Sequence, residues 1–477
     1  MPNRVEALIR STVVKAIETV ADINRRWMKD APNPFLEREH TPLSEERTFT
    51  ELAVSGEIPT ELDGRYLRNG PNPVSPPKAA AHHWFLGDAM LHGVRLRGGR
   101  AEWYRNRWIR GTAVSRALGE RAAPGKRRRA DVVNTNIVPH AGRSWALVEA
   151  GASPVRIGPE LQTIAHDAFG GTLRRGFSAH PHKDPDTGEL HAICYDGADA
   201  DTIRHVVVDK HGDVRREQPI RVQDGPMIHD CMITRQYVLI LDLPVTLSFK
   251  LLLKGYGFPY AWNEKHRARV GLMPREGTER DIVWCDVEPC FAFHPCNAFE
   301  TPDGKVILDL CVHERVFDRS TQGPDSRRIN FERWTIDPAA QRVSRAVIDE
   351  APQEFPRPNE TLVGKPYRYA YCMGLAPRAA FVETATCLYK HDLENQTRQV
   401  HDLGPDSVPG EFVFIPKAGA VLEDDGWLMG YVLDRSKQTT DLVILDAARF
   451  QAPPQARVTI PQRIPPGFHG NWFAELS

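Results

Sequence analysis

From about residue 50 to the end, the chain is a succession of short apolar runs rich in β-branched residues. Each is stopped by turn chemistry, and almost no helical periodicity lies between them. SWALVEA, LHAICYD, IRHVVVD, YVLILDL, KVILDLCV, RAAFVETAT, GWLMGYVLD and TDLVILDA are the clearest. Asp-Pro-Asp-Thr-Gly at 184–188, Lys-His-Gly-Asp at 210–213, Pro-Asp-Gly at 302–304 and Asp-Asp-Gly at 424–426 punctuate them. Such runs read as strands, so the chain is a sandwich, a barrel or a propeller. A sandwich of ~420 residues needs several domains, and no Pro/Gly/Ser linker divides this one. A propeller adds blades around one axis and accommodates the length. No Trp-Asp or kelch repeat is visible, so repeats do not give the blade count.

Two segments depart from this texture. In residues 1–28, Val5, Leu8, Ile9, Val13, Ile17, Val20 and Ile23 recur at helical steps, and Pro32 and Pro34 follow. The expectation is one amphipathic helix, packed on the domain or lying on a membrane surface. Residues 244–275 carry Leu247, Phe249, Leu251, Leu252, Leu253, Tyr256, Phe258, Tyr260 and Trp262 around Lys250 and Lys254. That stretch is too apolar for a solvent loop and too broken for a core strand.

Net charge is −1, which gives no electrostatic reason to expect nucleic acid. The KRRR run at 126–129 follows Pro-Gly and reads as a solvated loop. The eight cysteines are scattered without a C-x-x-C and read as buried thiols. No signal peptide and no 18-residue apolar stretch is visible, so the expected location is a reducing cytoplasm.

Four of the 18 histidines stand apart by context: His180 in Ala-His-Pro, His229 in Ile-His-Asp, His294 in Phe-His-Pro and His469 in Phe-His-Gly. Each sits in a turn or beside a strand-like run. With ~60 residues per blade they lie about one, one and three blades apart, which lets all four point down one axis. Taken singly, each is also an ordinary core or surface histidine. An all-imidazole set suits iron, copper or zinc. Metal-bound imidazoles normally donate their other N–H to a carboxylate or carbonyl, which draws attention to Glu149, Glu354 and Glu411 in apolar contexts.

The same segments resemble the carotenoid cleavage oxygenase (retinal pigment epithelial membrane protein) family. They are LDGRYLRNGPNP (62–73), HWFLGDAMLHG (83–93), NTN (134–136), LVEAG (147–151), AHPHKDPDTGEL (179–190), MIHD (227–230), PCFAFHPCNAFE (289–300), EFPRPNE (354–360), FVFIP (412–416), EDDGWLMGY (423–431) and PPGFHGNW (465–472). The resemblance covers nearly all of residues 50–475. It implies an all-β, seven-bladed propeller with a loop-and-helix dome over the iron face. Residues 1–35 are then a helical lead-in, and 36–477 a single catalytic domain with dome insertions that include 244–275. By the same resemblance His180, His229, His294 and His469 are the ligands of one Fe²⁺, with His182 only a neighbour. Glu149, Glu354 and Glu411 each orient one imidazole, and Thr135 screens one iron position with its methyl group.

The implied activity is O₂-dependent cleavage of a conjugated double bond of a carotenoid or apocarotenoid into two carbonyl products. The stilbene-cleaving branch is the nearest alternative. Its members resemble this chain but place a lysine just before the Glu149 position, where this chain has Val148, and YRNRWIRGTAV (104–114) lacks that branch's assisting tyrosine. A retinoid isomerase or a non-catalytic lipid binder on the same scaffold are further alternatives. The expected partner is a hydrophobic polyene, with no nucleic acid and no obligate protein partner. Peripheral contact with the inner face of a membrane is expected through 245–262 and helix 1–28.

Overall fold

The computed structural model describes residue 17 and residues 19–128, 130–376 and 385–475. Most of the RAAFVETAT run and most of the expected helix 1–28 lie outside the described residues; residues 19–27 are helical. The described chain is otherwise almost entirely antiparallel sheet, wound through in sequence order.

Four-stranded meanders recur. Asn136–His140 leads through Arg143–Leu147 and Val155–Ile157 to Thr163–His166. His182–Lys183 leads through Leu190–Asp196 and Asp199–Val208 to Val214–Arg221, and Gln353–Arg357 through Tyr369–Gly374 and Cys387–Asp392 to Thr397–Asp402. An eight-stranded sheet holds two such meanders, one begun by Cys231–Ile233 and one by Pro295–Glu300. They join at a single parallel pair, Asp286 with Arg342.

The two remaining large sheets are made from both ends of the chain. Gly470–Ala474 pairs antiparallel with Gly64–Pro71, and Ala53–Gly56 pairs with Ala456–Ile460. End strands of neighbouring sheets or meanders pack on one another, as Gly470–Ala474 does on Asn136–His140 and Cys231–Ile233 on Pro295–Glu300. The architecture is therefore all-β and propeller-like. Between the sheets lie dry layers, among them Trp145 and Phe169 on one side and Trp334 with Val306 and Leu308 on another. All eight cysteines are unbridged, and seven are buried.

The stretch 244–275 is less irregular than its sequence suggests. It forms a small hairpin of Val245–Leu247 with Tyr260–Trp262, and a short helix, Phe249–Leu253. Its last part is a correction to the expected insertion: Arg269–Pro274 is an inner strand of the eight-stranded sheet, with Val270, Leu272 and Met273 buried. Gly271 in its middle, against which Trp284 packs, breaks the β-branched signature that would reveal it. The KRRR loop is also less solvated than expected: Arg128 donates to the Gly151 carbonyl and pairs with Asp196.

Ring closure depends on Gly64. A Cβ there would run into the Phe473 carbonyl oxygen and the Trp472 ring. Gly64→Val is therefore expected to cost about 1–3 kcal/mol, as overpacking does. Urea denaturation followed by circular dichroism checks this; an unchanged midpoint would show that closure does not rest on this contact.

Candidate metal centre

Each of the four singled-out histidines stands one or two residues before the first strand of its sheet. His180 precedes His182–Lys183, His229 precedes Cys231–Ile233, His294 precedes Pro295–Glu300 and His469 precedes Gly470–Ala474. Because those strands pack side by side, the imidazoles converge. Ring centroids are 4.5 Å apart for His180 with His229 and with His469, and 4.8 Å for His294 with His469. One nitrogen from each ring lies within 4.8 Å of the others. His180, His229 and His469 are buried, and His294 keeps 12% of its side chain exposed.

The expected carboxylates stand behind them. His294 Nδ1 is 2.6 Å from Glu354, His229 Nδ1 is 2.8 Å from Glu149, and His469 Nδ1 is 3.0 Å from Glu411. Glu354 and Arg357 reach the site from one irregular strand. Pairing with Tyr369–Gly374 shifts register between them, a bulge that re-aims both side chains inward. Phe355, between them, holds a left-handed φ of 52°, a strained position for an aromatic residue. Its amide donates to Glu354 (2.7 Å) and its ring stacks on His294 at 4.9 Å. Glu149 is followed by Ala150 and by Gly151 at φ 109°, where any Cβ would meet the Asp196 carboxylate.

Two supporting residues were not singled out from sequence. His313 Nε2 binds the other Glu354 oxygen at 2.6 Å and is itself bonded to Ser326 through Nδ1. Arg357 Nε donates to Glu411 at 2.9 Å, and the Gly470 amide donates to the second Glu411 oxygen at 3.0 Å. Arg357 lies inside the quoted EFPRPNE, and a cation three residues after a buried glutamate was the available signal. Thr135 lines the cavity described below; its carbonyl accepts from the His469 amide (3.1 Å) and its hydroxyl donates to Asn134 (3.3 Å).

The electrostatics favour the neutral form at His180 and His469 and the charged form at Glu354 and Glu411. Burial and the neighbouring rings hold His180 well below the usual histidine range. Burial takes His469 down to about 4, against the pull of Glu411. For His229 burial also opposes charge, but Glu149 outweighs it and its basicity rises. Burial by itself would raise Glu354 and Glu411. His294 and His313 overcome it at Glu354, and Arg357 and His469 bring Glu411 down to about 2.

With the Nδ1 atoms of His229, His294 and His469 turned to glutamates, the Nε2 atoms of these rings are left free to converge. Among the described residues, the buried His180 and His294 Nε2 atoms have no hydrogen-bond partner. Such atoms are costly to leave unsatisfied, and four neutral nitrogens at this spacing fit one divalent transition-metal ion. The site opens on a cavity of about 1260 Å³. Its walls include Trp84, Phe85, Val148, Phe258, Phe293 and Phe468, an apolar and aromatic lining.

A pH dependence follows from the two depressed carboxyls. A glutamate that ionises below its unfolded value stabilises the fold fully above that value, and the contribution disappears as pH falls through the folded value. For Glu411 the window runs from the ordinary 4.5 down to about 2. Metal-free protein is expected to lose stability steeply below pH 4.5, and Glu411→Gln to flatten that slope. Urea midpoints at pH 5.5 and 3.5 measure this; parallel lines for both proteins would contradict it.

Comparison with known proteins gives the same picture. The family model described as retinal pigment epithelial membrane protein matches residues 40–474. A carotenoid cleavage oxygenase of Mycobacterium tuberculosis is 43% identical, over 93% of this chain and 98% of that protein. Synechocystis apocarotenoid-15,15'-oxygenase is 32% identical, over 88% and 92%. The crystal structure of the cobalt-substituted Synechocystis enzyme superposes with a TM-score of 0.82 at 29% identity, covering 92% of this chain and 98% of that one. A match across nearly the whole chain, with the four histidines and their carboxylates assembled, leaves one conclusion: the chain belongs to the retinal pigment epithelial membrane protein family, the carotenoid cleavage oxygenases.

Proposed function

We propose that the chain is a non-haem Fe²⁺ dioxygenase that cleaves a conjugated double bond of a carotenoid or apocarotenoid, so that C=C and O₂ become two C=O groups. The convergence of four imidazoles, three of them backed by glutamates, beside a large and mainly apolar cavity carries this reading. Bound by His180, His229, His294 and His469, Fe²⁺ supplies the redox-active centre at which O₂ is activated.

The protein's own residues supply aim and dryness. A polyene offers no group for acid–base chemistry, so selection of one double bond is a matter of position. Phe85, Phe293 and Phe468, ring against ring in the cavity wall, give that position shape and keep water out. Glu149, Glu354 and Glu411 fix the ring orientation of three ligands. Thr135, its hydroxyl engaged with Asn134, is assigned to screen one metal position with its methyl group. Val148 lies in the cavity wall, so a phenolic stilbene would meet an aliphatic surface where its branch offers an ammonium. This favours an isoprenoid polyene.

Seven blades are part of the proposal. Separating the eight-stranded sheet at its single Asp286–Arg342 pair gives two four-stranded blades beside the five other large sheets. The domain assignment, lead-in 1–35 and catalytic unit 36–477, goes with it.

We also assign the cavity mouth to a membrane surface. Leu86 and Phe249 are both exposed and line the cavity. The Phe249–Leu253 helix is tied to residues 19–27 by bonds from Asn24 to Leu253 O (2.7 Å) and from Arg25 to Gly255 O (2.9 Å). Trp27 is 83% exposed and Phe249 57%, with Lys250, Lys254, Arg26 and Lys29 around them, an arrangement suited to shallow insertion beside lipid phosphates. No helix among the described residues is long and apolar enough to cross a membrane.

Purified protein loaded with Fe²⁺ and given carotenoids, apocarotenals and resveratrol tests the activity. Polyenes are expected to consume O₂ and yield paired carbonyl products by mass, and His294→Ala to lose both iron and turnover. Resveratrol cleaved with a higher kcat/KM than every polyene would overturn the substrate class. Liposome flotation tests the surface: wild type is expected to float, and a triple variant with Trp27, Phe249 and Leu253 changed to Ser to sink. Wild type that fails to float at any lipid composition rules the contact out.

A further inference from the structure

Three of the four imidazoles have a glutamate on Nδ1; His180 has none. What faces its Nδ1 is Asp230, one oxygen of which stands 3.7 Å away. That is too long for a hydrogen bond and too short for a water molecule between them. The other Asp230 oxygen is held firmly, by His182 Nε2 at 2.8 Å and by the Cys231 amide at 2.6 Å. The Asp230 side chain is only 4% exposed, whereas His182 is 18% exposed. His182 and Asp230 flank two different ligands in sequence, and their hydrogen bond ties the first strands of two adjacent sheets together beside the site.

We propose that Asp230 is the fourth outer carboxylate of the centre, positioning His180, with His182 as its anchor. The inference rests on the reading that the four histidines hold a metal. A buried carboxylate with one oxygen fixed and the other directed at an imidazole Nδ1 orients that ring by charge and takes up its N–H with a shift of about half an ångström or more. It differs from the three glutamates in how it is set. Glu354 and Glu411 are each anchored by a cation or a second histidine and sit within 3.0 Å of their ligand, while Asp230 is anchored by a half-open histidine and stands off. His180 is accordingly the least tightly held of the four ligands, and the strength of its hold passes through His182. His182 therefore does more than stand beside a ligand in the sequence.

Co²⁺ titration of metal-free protein tests this, because its visible absorption reports both affinity and ligand arrangement. Asp230→Asn keeps the shape and the acceptor for the Cys231 amide but loses the charge. His182→Gln leaves Asp230 in place and weakens its anchor. With thermal midpoints close to wild type, Asp230→Asn is expected to bind Co²⁺ about 10–100-fold more weakly, the usual effect of losing an outer partner, and at saturating Co²⁺ to show shifted bands. His182→Gln is expected to show the same band shift with a smaller loss, about threefold. Wild-type affinity and spectrum in Asp230→Asn would overturn the proposal; if that variant does not fold, the same result in His182→Gln overturns it. A wild-type protein that binds no Co²⁺ would instead contradict the metal reading beneath it.

Discussion

Pairing between the two ends of the chain is the constraint on which the site depends. His469 enters the ring only because Gly470–Ala474 lies along Gly64–Pro71, some four hundred residues earlier in sequence. The same alignment lets the His469 amide bond the Thr135 carbonyl and the Arg357 guanidinium reach both Glu411 and the Gly470 carbonyl. The last of the four histidines is thus held at once from the Thr135 backbone and from the Glu411–Arg357 pair. A propeller-like ring suits such a centre because every sheet contributes the start of its first strand to one small region. Nothing has to bend far to bring distant residues together.

The surroundings of the ligands divide into two dielectric regimes. Behind the imidazoles, Glu354 and Glu411 are held ionised in the interior, the first by His294 and His313 and the second by Arg357 and His469, which together outweigh the cost of burial. In front of them is a cavity whose wall is mainly apolar and aromatic. In the proposed function the polar side orients the imidazoles, and the apolar side receives the polyene. Strain at Phe355 belongs to the boundary: the same backbone that presents Glu354 to His294 lays an aromatic ring flat against that ligand.

Legibility in the sequence followed burial. Strands buried on both faces, such as YVLILD and VILDLCVH, announced themselves as continuous apolar runs. Outer strands did not: Val214–Arg221 and Arg342–Asp349 are polar and largely exposed, and only pairing to an inner neighbour makes them strands. Arg269–Pro274 was hidden by its central glycine. At the site, the four histidines and three glutamates were legible because turn contexts and apolar neighbours set them off, and the family resemblance ordered them. His313, Arg357 and Asp230 were not, because their roles come from partners in other sheets that no local pattern records.

On the proposed function, one iron sits among the four imidazoles. Anomalous diffraction from crystals of the iron-loaded protein, collected on both sides of the iron edge, tests it most directly. The account predicts one strong peak per chain, surrounded by the Nε2 atoms of His180, His229, His294 and His469, with Glu149, Glu354 and Glu411 on the far side of their rings. A peak bound directly by any of those carboxylates, or no peak among the four histidines, would contradict it.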